Sequence, residues 1–275
     1  MNTKHIHQIV PAVLAAGFLV AACGTASADT LLSDNFNTGS AGTVDSFNGS
    51  LPGTRQTGSL AGTGYTSKGY SQQIDSNQVL IQPSWGFGRL FINHDFTDTA
   101  ITSSGGFTIS YDEIIPASAS GNTSWLGIMF GQTSSFVNSE TAPQINKSGT
   151  DFGMLLQGNG VYQSFDSGAG ITGTTPLALN YDAANQVVLT VLTTSFASGS
   201  QATVSATVNG IAIDLGANAN ITWDADAANY IQFEAYQTSG YRMDNLAIGT
   251  VPEPGTMALA GLGGMSLLFW RRRSK

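Results

Sequence analysis

The sequence predicts an all-β fold, an antiparallel two-sheet sandwich or a barrel, on three observations. Apolar and polar residues alternate with period two in short runs, turns built from Gly, Asn, Ser or Pro separate those runs, and helical periodicity is hard to find between residues 29 and 250. Many short strands without intervening helices leave a sandwich or a barrel as the way to bury one face of each.

Residues 1–28 read as a secretory leader. Lys4 and two histidines open it, an apolar run follows over residues 9–22, and small residues stand at Ala26 and Ala28, positions −3 and −1 of a cleavage after Ala28. A second reading stays open, because Val20-Ala21-Ala22-Cys23 resembles a lipobox whose cysteine becomes a lipidated N-terminus. Cys23 is the only cysteine, so the body has no disulfide in a compartment that would permit one.

In chain order the strand candidates are residues 31–37, 73–82, 87–96, 107–112, 125–131, 152–157, 186–193, 202–208, 211–215, 231–236 and 241–248. Phe107-Thr108-Ile109-Ser110-Tyr111-Asp112 alternates cleanly, and Ala202-Thr203-Val204-Ser205-Ala206-Thr207-Val208 does so again. Asn209-Gly210 then precedes Ile211, Ile213 and Leu215. Asn-Gly between alternating runs is the strongest short hairpin signal, because a type I′ turn needs φ > 0 at both central residues. The glycines between Gly53 and Gly69 lack the strand-to-helix setting of a nucleotide site, and that stretch reads as a long loop. No repeat at blade or solenoid spacing points to a propeller or β-helix.

The chain closes with Val251-Pro252-Glu253-Pro254-Gly255, an apolar run over residues 257–270, and Arg271-Arg272-Arg273-Ser274-Lys275. Fourteen apolar residues make a helix of about 21 Å at 1.5 Å per residue, short against a hydrocarbon core of about 30 Å. The arginines after it would stay cytoplasmic by the positive-inside rule, leaving the body outside. The prolines stop the helix from extending upstream and keep Glu253 in an accessible stretch. This order of Pro-Glu-Pro, short apolar helix and basic end resembles the PEP-CTERM sorting domain of Gram-negative bacteria. The resemblance implies recognition by an exosortase, a membrane protease-transferase, near Pro252, Glu253 and Pro254. It also implies removal of the tail, with the membrane touched only through that helix, and an exopolysaccharide or biofilm setting. The chain accordingly divides into a leader (1–28), a β domain (29–250) and a sorting tail (251–275).

Residues 29–250 carry five basic side chains against seventeen acidic ones, a net charge near −12. Such a surface repels phosphate backbones, which excludes nucleic acid as a partner. It suits a protein that meets neutral sugars or divalent cations outside the cell.

Asp34-Asn35-Phe36 at the start, Trp125-Leu126-Gly127-Ile128-Met129-Phe130-Gly131 in the middle, and Met243-Asp244-Asn245-Leu246-Ala247-Ile248 at the end give the body a resemblance to concanavalin A-like (laminin G-like) jelly rolls. The resemblance implies that the first and last strands pair, closing the domain from Leu31 to Ile248. Asp34 and Asp244 would then be neighbours, and a structural calcium near that seam is the one cofactor implied; none is required.

Catalytic chemistry is hard to assemble from these residues. The body holds one histidine, His94, no cysteine and no Gly-x-Ser-x-Gly elbow, and it lacks the His and Cys ligands zinc needs. His94 follows a strand pattern and reads as a partly exposed strand histidine. Glycoside hydrolysis needs two carboxyls about 5–9 Å apart. The body has three glutamates, Glu113, Glu140 and Glu234, far apart in sequence, and adjacent Asp112 and Glu113 would point to opposite faces of a strand. No catalytic residue is therefore assigned. Sugar binding needs only an exposed aromatic platform with polar partners. Trp85, among turn residues, is the best candidate, followed by Tyr65 and Tyr70 in the glycine-rich stretch; Trp125 sits in an apolar run and reads as core. Asp224 and Asp226 form a second acidic pair, beside Trp223.

The sequence therefore points to an exported, non-enzymatic cell-surface or matrix protein. A lectin-like carbohydrate-binding module is the alternative and a glycoside hydrolase the third reading.

Overall fold

Alternation along a strand sends successive side chains to opposite faces, and two sheets then bury their apolar faces against each other. The computed structural model describes residues 28–36, 56–68, 73–75, 78–81, 86–132, 143–146, 149–173, 175–224, 229–236 and 240–251. They belong to the unit Asp29–Val251, apart from Ala28.

The described strands, in chain order, are β1 (Thr30–Asp34), β2 (Gln56–Thr57), β3 (Tyr65–Lys68), β4 (Gln73–Asp75), β5 (Gln78–Ile81) and β6 (Phe87–Ile92). A short helix, α1 (Thr99–Ser104), leads to β7 (Gly106–Ile114), β8 (Trp125–Gln132), β9 (Phe152–Gln157), β10 (Tyr162–Asp166) and β11 (Ala169–Thr172). Then come β12 (Ala184–Leu192), β13 (Gln201–Val208), β14 (Ile211–Ala212), β15 (Asn220–Thr222), β16 (Tyr230–Tyr236) and β17 (Tyr241–Thr250).

They form two antiparallel sheets, a jelly-roll sandwich. One follows the order β14-β13-β12-β7-β17-β1-β2, with β15 also on β13 and the β4–β5 hairpin on β17. The other follows β11-β10-β9-β8-β16-β6-β3. The first and last strands pair as the resemblance implies, Leu32 opposite Ile248 and Asp34 opposite Leu246.

In the larger sheet the alternation is one-sided. Ile109 and Tyr111 of β7, Val187 and Leu189 of β12, and Val204 and Val208 of β13 point into the core. Leu126, Ile128, Phe130 and Phe233 of the smaller sheet meet them from the other side. Asp112 and Glu113 do take opposite faces, and it is Glu113 that turns inward, fully buried. The Asn209-Gly210 hairpin forms as read, with φ of 51° and 76°, and joins β13 to a strand of just two residues. Beyond it Gly216 N–H donates to Asp214 Oδ1 and the chain turns into a 3₁₀ segment, so the alternation from Ile211 to Leu215 does not continue as sheet.

Two other expectations change, and one hairpin lies outside the strand candidates. The stretch between Gly53 and Gly69, read as a loop, contributes β2 to one sheet and β3 to the other. Residues 73–82 contain two strands rather than one. The β10–β11 hairpin turns at Ser167 and Gly168, with φ of 44° and 93°. The local pattern hides its first strand because polar Ser164 faces inward, 1% exposed, while Phe165 stays partly exposed, so polarity does not alternate with the faces.

Candidate functional site

Strands β6, β8 and β9 read as nearly continuous apolar runs, which is the pattern of strands covered on both faces. Directly opposite residues of an antiparallel pair share a face. Register therefore sets out the outer face of the seven-stranded sheet in rows. One row runs Phe87, Tyr236, Trp125, Gln157. The next runs Arg89, Glu234, Gly127, Leu155, and a third runs Phe91, Gln232, Met129, Gly153.

The first row is aromatic and packed on itself. Phe87 and Tyr236 stack with ring centroids 4.8 Å apart, and Trp125 stands 6.0 Å from Phe87 and 5.9 Å from Tyr236. Such contacts add about 0.5–1.5 kcal/mol per pair beyond burial. Phe87 and Trp125 are buried, while Tyr236 keeps partial exposure at the rim.

The second row is an ion pair under a strap. Arg89 Nη2 lies 2.7 Å from Glu234 Oε1, with both side chains buried. Arg89 Nε–H donates to the same oxygen at 2.7 Å. From the connection between β8 and β9, Gln144 N–H donates to Glu234 Oε2 at 3.0 Å and Ile145 N–H to Oε2 at 3.1 Å. Burial raises the Glu234 carboxyl above its ordinary range, while Arg89 and these N–H groups pull it back. The strap has a seat because Gly127 and Gly153 leave a hollow. A Cβ on Gly127 would come within 2.5 Å of Ile145 Cδ1, and one on Gly153 within 2.5 Å of Ile145 Cγ1 and of its carbonyl oxygen. Ile145, Phe87, Trp125, Met129 and Leu155 thus form a second, smaller apolar cluster outside the sheet. Gln232 is buried on this face, and among the described residues its Nε2 has no hydrogen-bond partner.

Several residues singled out from the sequence take other places. Tyr65 is not part of an exposed platform. It is 2% exposed, and its hydroxyl donates to Asp34 Oδ2 at 2.9 Å, because β3 folds inward where a loop was expected. Asp34 also accepts from Gln56 Nε2 at 3.0 Å and from Phe36 N–H at 2.9 Å. A fully buried carboxylate so engaged ties β1 to β2 and β3. Asp244 does not join it on one face. Asp34 lies opposite Leu246 on the inner face, whereas Asp244 lies opposite Asp112 on the outer, beyond a bulge at Asn245 (φ 49°). Burial raises the Asp244 carboxyl, its bond from Asn245 N–H lowers it, and the charges of Asp112 and Asp34 raise it further.

Trp125 is core, as read, and Trp223 is buried with its ring centroid 4.9 Å from that of Phe196. His94 is partly exposed just after β6 and pairs with Asp98 at 2.8 Å. Asp224 donates its N–H to Asp151 Oδ1. Ala28 is exposed; Ala26, Trp85, Tyr70, Glu140, Asp226, Pro252, Glu253, Pro254, Arg271, Arg272 and Arg273 lie outside the described residues. Among the described residues no group of three or more His, Cys, Asp and Glu is placed to hold a metal, and no helix is long and apolar enough to cross a membrane.

Glu113 and Glu234 are far from a catalytic pair. The first points into the core from the larger sheet and the second lies on the outer face of the smaller one, so that sheet stands between them.

The ends of the fold form the other notable place. Thr250 N–H donates to the Asp29 carbonyl at 2.9 Å, and Asp29 N–H donates to Thr250 Oγ1 at 2.9 Å. Asp29 and the last residue of β17 are thus bonded to each other, with Val251 alone between Thr250 and Pro-Glu-Pro. Residues 250–273 match the family model of the PEP-CTERM protein-sorting motif. The chain carries a PEP-CTERM tail. A PEP-CTERM motif is a signal for exosortase-dependent export to the cell envelope, so this protein is exported. The match covers the tail and not the sandwich.

No curated protein sequence matches the chain. Among solved structures it is similar to a protein of unknown function with a galectin-like fold from Bacillus subtilis, at 9% identity and TM-score 0.45, over 68% of this chain and 89% of that one. It is similar to lectin II from Ulex europaeus at 10% identity and TM-score 0.43, over 67% and 92%. A legume lectin-like domain from Entamoeba histolytica matches at 13% identity and TM-score 0.40, over 68% and 90%.

Proposed function

We propose that the mature protein is a non-enzymatic component of the cell surface or extracellular matrix, associated with exopolysaccharide. The observation that carries this reading is the junction of Asp29 with Thr250. Taking away the leader and the PEP-CTERM tail leaves a sandwich whose first and last strands are paired and whose ends are bonded to each other. The acidic body, with uncharged polar residues on the outer faces of its one-sided strands, supports the same reading, since such a surface suits contact with neutral polymers. The separation of Glu113 from Glu234 weighs against hydrolysis by that pair. In the producing cell, tail-cleaved protein should be recovered outside the cytoplasm; intact protein retained inside would overturn the reading.

A second reading, a lectin-like module, is favoured by the aromatic row Phe87, Tyr236, Trp125 with Gln157 at its end. Phe87 and Trp125 are buried, so Tyr236, partly exposed, is the ring of that row placed to meet a sugar, with the partly exposed Gln157 amide at the end of the same row. Co-sedimentation of purified 29–251 with polysaccharide from the producing organism, with and without calcium, decides between the two. Saturable binding lost on Tyr236→Ala or Trp85→Ala would put the lectin first. Released reducing ends would revive a glycanase, and no binding in either condition leaves the structural role.

A further inference from the structure

Pro252, the first residue of Pro-Glu-Pro, directly follows the last residue hydrogen-bonded to the sheet. Val251 is 7% exposed, and its N–H donates to the Gly106 carbonyl at 3.1 Å. Thr250 is buried and joined to Asp29 by two hydrogen bonds, each 2.9 Å. The approach of the two ends is close enough that a Cβ on Gly249 would stand 3.0 Å from the Asp29 carbonyl oxygen. Strand β17 has β7 on one side and β1 on the other, so it offers no free edge.

An enzyme that reads a peptide commonly takes it extended, pairing with its backbone groups. Upstream of Pro252 those groups are committed to the sandwich. We propose that the folded domain acts as a stop for the tail-removing enzyme: the motif is presented without a spacer, and the rate of tail removal is set by how often Thr250 and Val251 peel from Asp29 and Gly106. The proposal rests on exosortase-dependent sorting of this chain and adds its regulation. Local opening of a strand end is the low-energy motion available here, because it breaks few bonds and leaves the core intact. A folded protein would thus stay tethered at the membrane longer than an unfolded one.

Tail removal is followed as the mass shift of pulse-labelled intact chain in its producing cell. Three variants are compared with the wild type: a short Gly-Ser spacer between Val251 and Pro252, Thr250→Val, and Thr250→Ser. Thr250→Val should speed removal by about two- to tenfold, the change in opening that loss of one hydrogen bond produces, and the spacer, which makes that opening unnecessary, should speed it at least as much. Thr250→Ser keeps the hydroxyl acceptor and should match the wild type. The spacer leaves every residue of the sandwich unchanged, so its result does not depend on whether Thr250→Val folds. Equal, measurable rates for spacer and wild type would overturn the stop while leaving sorting in place. Absence of tail removal in all four chains would overturn the sorting reading and the stop together.

Discussion

Arg89 and Glu234 face each other across the β6–β16 ladder on the outer side of the smaller sheet, with Arg89 Nη2 2.7 Å from Glu234 Oε1. The carboxylate also accepts the N–H groups of Gln144 and Ile145, so one acid holds both a neighbouring strand and the strap that covers the sheet. Removing one member of a buried pair leaves the other charged and unpaired, at a cost of about 3–5 kcal/mol. Arg89→Met should therefore lower the denaturant midpoint sharply, while Arg89→Met with Glu234→Gln should recover part of the loss. A double variant no more stable than the single one would remove the ion pair as the cause.

The strap depends on the two glycines beneath it. Gly153→Ala would push a methyl group against the Ile145 carbonyl, and overpacking of this kind costs about 1–3 kcal/mol. Faster hydrogen exchange at the Gln144 and Ile145 amides than elsewhere in the sheet is the expected readout. Uniform acceleration across the domain would mean that the strap is not the part displaced.

Glu113 gives the protein a pH dependence of definite sign. Its carboxyl is fully buried, both oxygens lack a hydrogen-bond partner among the described residues, and burial holds it well above the ordinary range. Above about pH 4.3 the unfolded chain gives up a proton that the native protein keeps. Stability therefore falls as pH rises from there toward the folded value, by up to about 1.4 kcal/mol per unit for this group. Glu113→Gln should flatten that slope and stabilise the protein at neutral pH. Denaturant titrations of both proteins at pH 4 and pH 7 test this, and an unchanged slope would assign the dependence to other groups.

Tyr65→Phe separates structure from binding. It removes the hydroxyl that donates to buried Asp34, for a loss of about 1 kcal/mol in stability. Polysaccharide co-sedimentation should be unaffected. A variant that keeps its stability but loses binding would return Tyr65 to a ligand surface.

Much of this was legible along the chain, and the rest fails for identifiable reasons. Alternation in residues 107–112 and 202–208 gave strands with the correct inner faces, since a period of two is local information. Asn209-Gly210 gave its hairpin because only a few residues tolerate two positive φ values in succession. Tyr65 was misread because glycine-rich flanks carry no period, and its burial depends on Asp34, thirty-one residues away. That Asp34 and Asp244 take different faces was not legible, because the bulge at Asn245 shifts the register of β17 and turns Asp244 outward.

What the sequence by itself determined is the export route, the absence of cysteine from the body, the acidic surface and the all-β class. Each is written in composition, in local period or in a contiguous motif such as Pro252-Glu253-Pro254. Only the tertiary structure decided that Glu234 anchors a strap, that Glu113 lies in the core without a hydrogen-bond partner among the described residues, that Phe87, Tyr236 and Trp125 share a row, and that Asp29 bonds Thr250. These are contacts between residues far apart in the chain, fixed by strand order and register, and register is set by how whole sheets pack.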